Sequence, residues 1–132
     1  MLALDESVTD WVLLIARICL ALVFFVSGVH KLIWYRQAVA EFRTERIPLI
    51  TITLPGTILL HTFASICLLA GVFVPEAALA LAVFTIVATA KVHHFWTMEG
   101  RQRLDISRVA LANIGIVGGL LVLAVAGPGE LP

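Results

Sequence analysis

The sequence predicts an all-α integral membrane protein, a bundle of four membrane-spanning helices with a short amphipathic segment between the first and second helices. Three observations support this fold class. Apolar residues make up 61% of the 132-residue chain, well above the roughly one half that is typical of soluble domains. These residues are gathered in four long runs, and the positive charge is concentrated in two of the links between the runs.

The four apolar runs predict spans at residues 11–32, 54–74, 77–96 and 106–126. Each run approaches the ~20 residues that a helix needs to cross a bilayer core at a rise of about 1.5 Å per residue. The runs do not alternate between apolar and polar residues as the strands of a membrane barrel do. Because the four spans account for most of the chain, we expect residues 1–132 to form a single domain.

The link between the first two spans, residues 34–47, mixes aromatic and aliphatic residues with charged ones. Trp34, Val39 and Phe42 alternate with Arg36, Arg43 and other polar residues at a spacing that suits a short helix. Such a helix is expected to lie in the membrane interface with its apolar side facing the lipid. The alternative is a solvated, charged loop.

Lysine and arginine are distributed unevenly along the chain. Every Lys and Arg except Arg17 lies in or beside the first and third links. On the other side of the membrane, at the two termini and the second link, the charged residues are all acidic. Short basic links remain in the cytoplasm, so we predict cytoplasmic links and both termini outside. The formal net charge is zero, which gives no general attraction to nucleic acid.

Arg17 and two cysteines lie in the predicted outer half of the bundle. Arg17 has two interpretations: its long side chain reaches the outer headgroups, or it forms an interior cation site for an anionic or carbonyl group. Cys19 and Cys67 are not part of a C-x-x-C motif, so a thioredoxin-like or zinc-ribbon site is excluded. We interpret them as small buried side chains, and a redox pair as the lesser alternative.

Polar residues also occur in the predicted inner half of all four spans. In hydrocarbon these groups must pair with each other, with water or with a ligand. They indicate a candidate site for a flat, lipophilic, hydrogen-bonding ligand such as a quinone; the alternative is that they join the helices. Haem held by His61 with His93 or His94 ranks below a quinone, and a metal site is not expected. The candidate residues are Ser27, Lys31, His61, His93, His94 and Asn113.

Four segments together resemble the DoxX family of small bacterial membrane proteins. The match covers nearly the whole chain, and each segment is mostly apolar. In one departure, this chain has His61 where many members carry a glutamate in the second span. The segments are RICLALVFFVSGVHK at residues 17–31, LLAGVF at 68–73, ATAKVHHFW at 88–96 and NIGIVGGLL at 113–121.

The resemblance implies a four-helix protein of the bacterial inner membrane. Members of the family include the membrane component of a thiosulfate:quinone oxidoreductase, and by analogy Arg17, Lys31, His93 or His94, and Asn113 occupy the family's polar positions. We therefore expect a quinone-interacting or anchoring subunit of a membrane oxidoreductase. Such a subunit would not be catalytic alone and would have no intrinsic cofactor beyond a bound quinone.

Two other functions remain open at this point. The chain would be a non-enzymatic scaffold or assembly factor if its polar residues only join helices. It would be a small carrier if several copies assembled, since four helices enclose little space. Gly115, Gly118 and Gly119 in the fourth span favour close helix packing and are compatible with a homo-oligomer.

Overall fold

The computed structural model describes residues 5–92 and 95–130 of the chain. The described part is helical, and four of its helices are long and apolar enough to cross a membrane. This confirms the predicted fold class. The helices are α1 (Glu6–Ile33), α2 (Tyr35–Thr44), α3 (Ile50–Ala70), α4 (Val74–Val92) and α5 (Gly100–Ala126), with a single 3₁₀ turn at Phe95–Thr97.

The helix limits differ from the predicted spans mainly at polar or turn residues. Helix α3 begins at Ile50, ahead of Pro55, and ends at Ala70 because Gly71 adopts a left-handed conformation with φ of 74°. Glycine reaches this conformation without a steric penalty and commonly ends helices. Helix α5 begins at Gly100 because the charged residues before the apolar run are mostly good helix formers. Hydropathy therefore predicts the membrane-crossing part of each helix better than its ends.

Helix α2 lies within the link where an amphipathic helix was predicted. Its buried residue Ala38 packs against Leu54 and Ile58 of α3, with Val39 and Phe42 partly buried beside them. Its arginines are exposed to the surroundings. One face of α2 is thus fixed to the first half of α3, and its position in the membrane interface remains a prediction.

The main core is built from small and branched apolar residues. Helix α1 packs most extensively on α3, and α4 packs on α5, while α3 and α4 share fewer contacts. Alanines in α1, α3 and α4 permit this close approach. The core comprises Ala21, Phe24, Ala64, Cys67, Leu68, Val74, Ala77, Ala78, Leu81, Ala82, Leu120 and Leu123.

The outer surface of the bundle is strongly apolar. Phe63 is 69% exposed and Val125 is 91% exposed. In water, such a continuous apolar surface would lead to association, whereas acyl chains solvate it well. The three tryptophans, Trp11, Trp34 and Trp96, are also more than half exposed, as residues of an interfacial aromatic belt would be.

The two ends of the bundle differ in charge. The end that carries α2 and the α4–α5 link, here called the basic end, holds every Lys and Arg in the described residues except Arg17. The end that carries the α3–α4 turn and residues 5–10 is called the acidic end. The helix order places both basic links at the same end, as the charge pattern predicted.

Candidate ligand-binding site

A cavity of about 600 Å³ lies between α3 and α4 near the basic end, with α2 beside it. This volume falls within the ~300–1,000 Å³ that is usual for small-molecule sites. Most of its surface is apolar, and its polar groups are few. Among the described residues it is lined by Lys31, Glu41, Phe42, Glu45, Ile47, Thr53, Gly56, Thr57, Leu60, His61, Phe84, Val87, Ala88 and Lys91.

His61 is the most deeply placed polar group in the cavity lining. The side chain is only 4% exposed, and it lies eleven residues after Ile50, or roughly 16 Å along the helix. Its ring makes T-shaped contacts with Phe24 and Phe84, with centroid distances of 5.3 and 4.7 Å. Within the described part of the chain, neither ring nitrogen has a hydrogen-bond partner. A buried imidazole whose nitrogens have no partner is suited to form a hydrogen bond with a polar group of a ligand.

Gly28 of α1 fixes how closely α1 approaches the helix that carries His61. Gly28 is buried, and a Cβ at this position would lie 2.8 Å from the Thr62 hydroxyl oxygen and 3.2 Å from the His61 Cβ. Any larger residue would push the two helices apart. Gly28 is therefore needed for the position of His61.

Charged residues border the cavity on the side of the basic end. Lys31, Glu41, Glu45 and Lys91 line it there, and we call these four residues the charged rim. The Lys31 ammonium donates a hydrogen bond of 2.7 Å to the hydroxyl of Ser27, which uses one of its three donors. Ser27 thus orients Lys31 and is not itself a lining residue.

Sequence reasoning missed the two glutamates of the charged rim. Glu41 and Glu45 are four residues apart, a spacing that places both on one side of a helix. Phe42, which follows Glu41 in the sequence, also lines the cavity. This spacing could have indicated that the two glutamates act together, but only the packing of α2 on α3 reveals which side of α2 faces the cavity.

The structure does not bring all the candidate residues together. Asn113 of α5 donates a hydrogen bond of 3.1 Å to the hydroxyl of Thr89 on α4, and neither residue is in the cavity lining. This bond joins two helices, as the alternative interpretation expected for such groups. His93 and His94 lie outside the described residues.

Arg17 lies toward the acidic end, away from the cavity. Its side chain is fully buried, so it does not reach outward to the headgroups. The guanidinium lies against Gly71, so closely that a Cβ at Gly71 would overlap it. Gly71 ends α3, and a cation next to the carboxyl end of a helix interacts favourably with its last carbonyl groups. Arg17 therefore has a structural position between α1 and the end of α3.

The cysteines and the potential metal ligands form no cluster in the described residues. Cys67 is buried as expected, whereas the interpretation of Cys19 as a buried side chain is wrong because Cys19 is exposed; both are free thiols. Across residues 5–92 and 95–130, no group of three or more His, Cys, Asp or Glu side chains is placed to hold a metal ion. The cavity around His61 is therefore the strongest candidate site.

Comparison with known proteins identifies similar chains. The family model of DoxX matches residues 12–94. The inner membrane protein YphA of Escherichia coli (strain K12) is 27% identical over 119 residues, which cover 90% of this chain and 85% of YphA. The inner membrane protein YqjF of the same strain is 31% identical over 124 residues, covering 94% and 90% of the two chains. No solved structure gives a significant match.

Proposed function

The chain belongs to the DoxX family, and from its cavity we propose that it is an inner-membrane protein that binds the headgroup of a membrane quinone beside His61. The inner-membrane location is supported by four membrane-spanning helices and by relatives that are inner membrane proteins. The observation that carries the ligand proposal is the buried imidazole whose ring nitrogens have no partner among the described residues.

The chemistry of a quinone suits this site. A quinone ring is flat and apolar, and its carbonyl oxygens accept hydrogen bonds. A neutral imidazole has one N–H donor and one acceptor nitrogen, so His61 would donate to a quinone carbonyl or accept a bond from a quinol hydroxyl. Phe84 and Leu60 provide apolar surface for the ring, and the Lys31 ammonium is a second donor on the same lining.

The charged rim supports a role in proton exchange as well as binding. Quinone reduction takes up two electrons and two protons, and protons must reach a headgroup that is shielded from water. Lys31, Glu41 and Glu45 border the cavity between His61 and the basic end. In this proposal the chain binds and orients the quinone, and a partner oxidoreductase subunit supplies or removes the electrons.

A binding titration tests the proposal. Protein purified in lipid nanodiscs is titrated with a quinone that carries a ten-carbon tail, and bound quinone is measured by equilibrium separation. We expect saturable binding at one site and, for His61→Ala, a loss of affinity of about tenfold or more, since losing a buried hydrogen bond and its ring contacts is worth ~1.5–3 kcal/mol.

The matched control is His30→Ala. His30 is an exposed histidine that contacts Trp34 and does not line the cavity, so its removal should leave the affinity unchanged. Absence of saturable binding would refute the proposal, as would an equal loss in both variants. Either result would favour a scaffold role in which the polar residues only join helices.

A further inference from the structure

The cavity has a second opening, on the side of the bundle between α3 and α4. Besides the charged residues Glu41 and Lys91, two residues of its lining are exposed: Gly56 on α3 and Val87 on α4, with Val87 62% exposed. A Cβ built on Gly56 meets no atom within 4 Å. Both residues therefore border open space, and we call them the lateral rim.

The lateral rim lies within the membrane-crossing parts of the helices. Gly56 is six residues after Ile50, and Val87 is four residues before Lys91, which places them roughly 9 Å and 6 Å inside the two spans. Both helices are apolar enough on average to cross a membrane, with mean hydropathies of 1.8 for Ile50–Ala70 and 1.5 for Val74–Lys91. The lateral rim consequently faces acyl chains, whereas the charged rim faces the basic end.

The packing of the bundle explains why a gap exists at this position. Helices α3 and α4 contact each other less than α1 contacts α3 or α4 contacts α5. The turn that joins α3 to α4, residues 71–73, is at the acidic end, and the gap is at the opposite end. Because Gly56 has no side chain, α3 leaves open space at this position of the cavity lining.

The two rims would select different parts of one molecule. A charged rim admits polar or proton-carrying groups, and an apolar rim open to lipid admits hydrocarbon without dehydration of a polar group. We infer that the gap between Gly56 and Val87 is a lateral portal, through which the apolar tail of the ligand extends into the bilayer. This inference rests on the proposed function. It identifies the ligand as a quinone with a long, isoprenoid-like apolar tail rather than a soluble ring compound.

The experiment compares a tailed and a tailless quinone in nanodiscs. The probes are a quinone with a ten-carbon tail and the same ring with only methyl and methoxy substituents. Two variants narrow the portal: Gly56→Leu fills the open space on α3, and Val87→Trp enlarges the exposed residue on α4. We expect each to weaken binding of the tailed probe about tenfold or more and to change binding of the tailless probe less than about threefold.

Two matched controls add the same side chains elsewhere. Gly118→Leu introduces a leucine on α5 at an exposed position with no atom within 4 Å, and Val83→Trp enlarges a residue that is 60% exposed and outside the cavity lining. Both should leave the two affinities unchanged. If Gly56→Leu does not fold, Val87→Trp, which changes a residue already exposed to lipid, provides the test.

The outcomes are distinguishable. Equal weakening of both probes by the portal variants would mean that the cavity itself is altered, and would overturn the portal while leaving quinone binding intact. Unchanged binding of the tailed probe in both variants would overturn the portal as well. If the wild-type protein bound neither probe, the proposed function would fail first and the portal with it.

Discussion

Replacing His61 with leucine should make the ligand-free protein more stable. The imidazole is 4% exposed, and in the described structure its two nitrogens have no hydrogen-bond partner. Each such buried atom costs about 1–3 kcal/mol, so a leucine of similar volume recovers about 2–6 kcal/mol. The edge contacts with Phe24 and Phe84, worth about 0.5–1.5 kcal/mol each, are lost. The net expectation is a gain of about 2 kcal/mol in the free energy of unfolding.

The assay is reversible unfolding in mixed micelles, with a denaturing detergent as titrant and circular dichroism as the readout. His30→Leu is the control, since His30 is exposed and stacks on Trp34 at 4.6 Å, and this variant should show no gain. Excess quinone should narrow the difference, because ligand at 100 times the wild-type Kd stabilises the wild-type protein by about 2.7 kcal/mol, and a variant that binds tenfold more weakly by only about 1.4 kcal/mol. A His61→Leu protein destabilised by about 1 kcal/mol or more would show that the imidazole already has partners, and the reasoning would fail.

Three further predictions follow from the same structure. Gly28→Ala should lower stability by about 1–3 kcal/mol and weaken quinone binding, because its methyl group separates α1 from α3. Gly56→Ala, which meets open space within helix α3, should raise stability by about 0.4–1 kcal/mol, and chemical unfolding compares the two variants. Gly71→Ala should cost more than about 1 kcal/mol because it combines a positive φ with overlap of Arg17, and similar stability in wild type and variant would contradict this. A cysteine introduced at Arg43 should react with a membrane-impermeant maleimide only from the cytoplasmic side; labelling from outside would reverse the predicted orientation.

The fold was predictable because membrane helices have a strong one-dimensional signal. Each apolar run must form a helix, because a helix satisfies its own backbone hydrogen bonds in lipid. Four such helices joined by short links, two of them basic, can be arranged across a membrane in only a few ways. The helix ends were less predictable because they depend on local caps and polar turns. The predicted second span, residues 54–74, starts four residues after the beginning of α3 at Ile50 and extends past Gly71, which ends the helix.

The site was predictable in part. Depth along a span can be counted, so the sequence placed His61 among the candidate polar residues of the inner half, and the structure places it in the cavity lining. The rotation of each helix about its own axis decides which polar groups share a cavity. This rotation cannot be inferred from a run that is apolar on all sides. The sequence places Asn113 at a depth similar to that of the cavity, but in the structure its side chain bonds to Thr89 instead. Glu41 lines the cavity because α2 packs on α3, which the sequence does not reveal.

The most direct test of quinone binding beside His61 is photolabelling. A tailed azido-quinone is irradiated with the protein in nanodiscs, and the modified residues are mapped by mass spectrometry. We predict labels on cavity residues such as Leu60 and Phe84, which disappear with excess unlabelled quinone. Labels confined to exposed side chains such as Leu59 and Phe63, and unaffected by the competitor, would contradict the proposal.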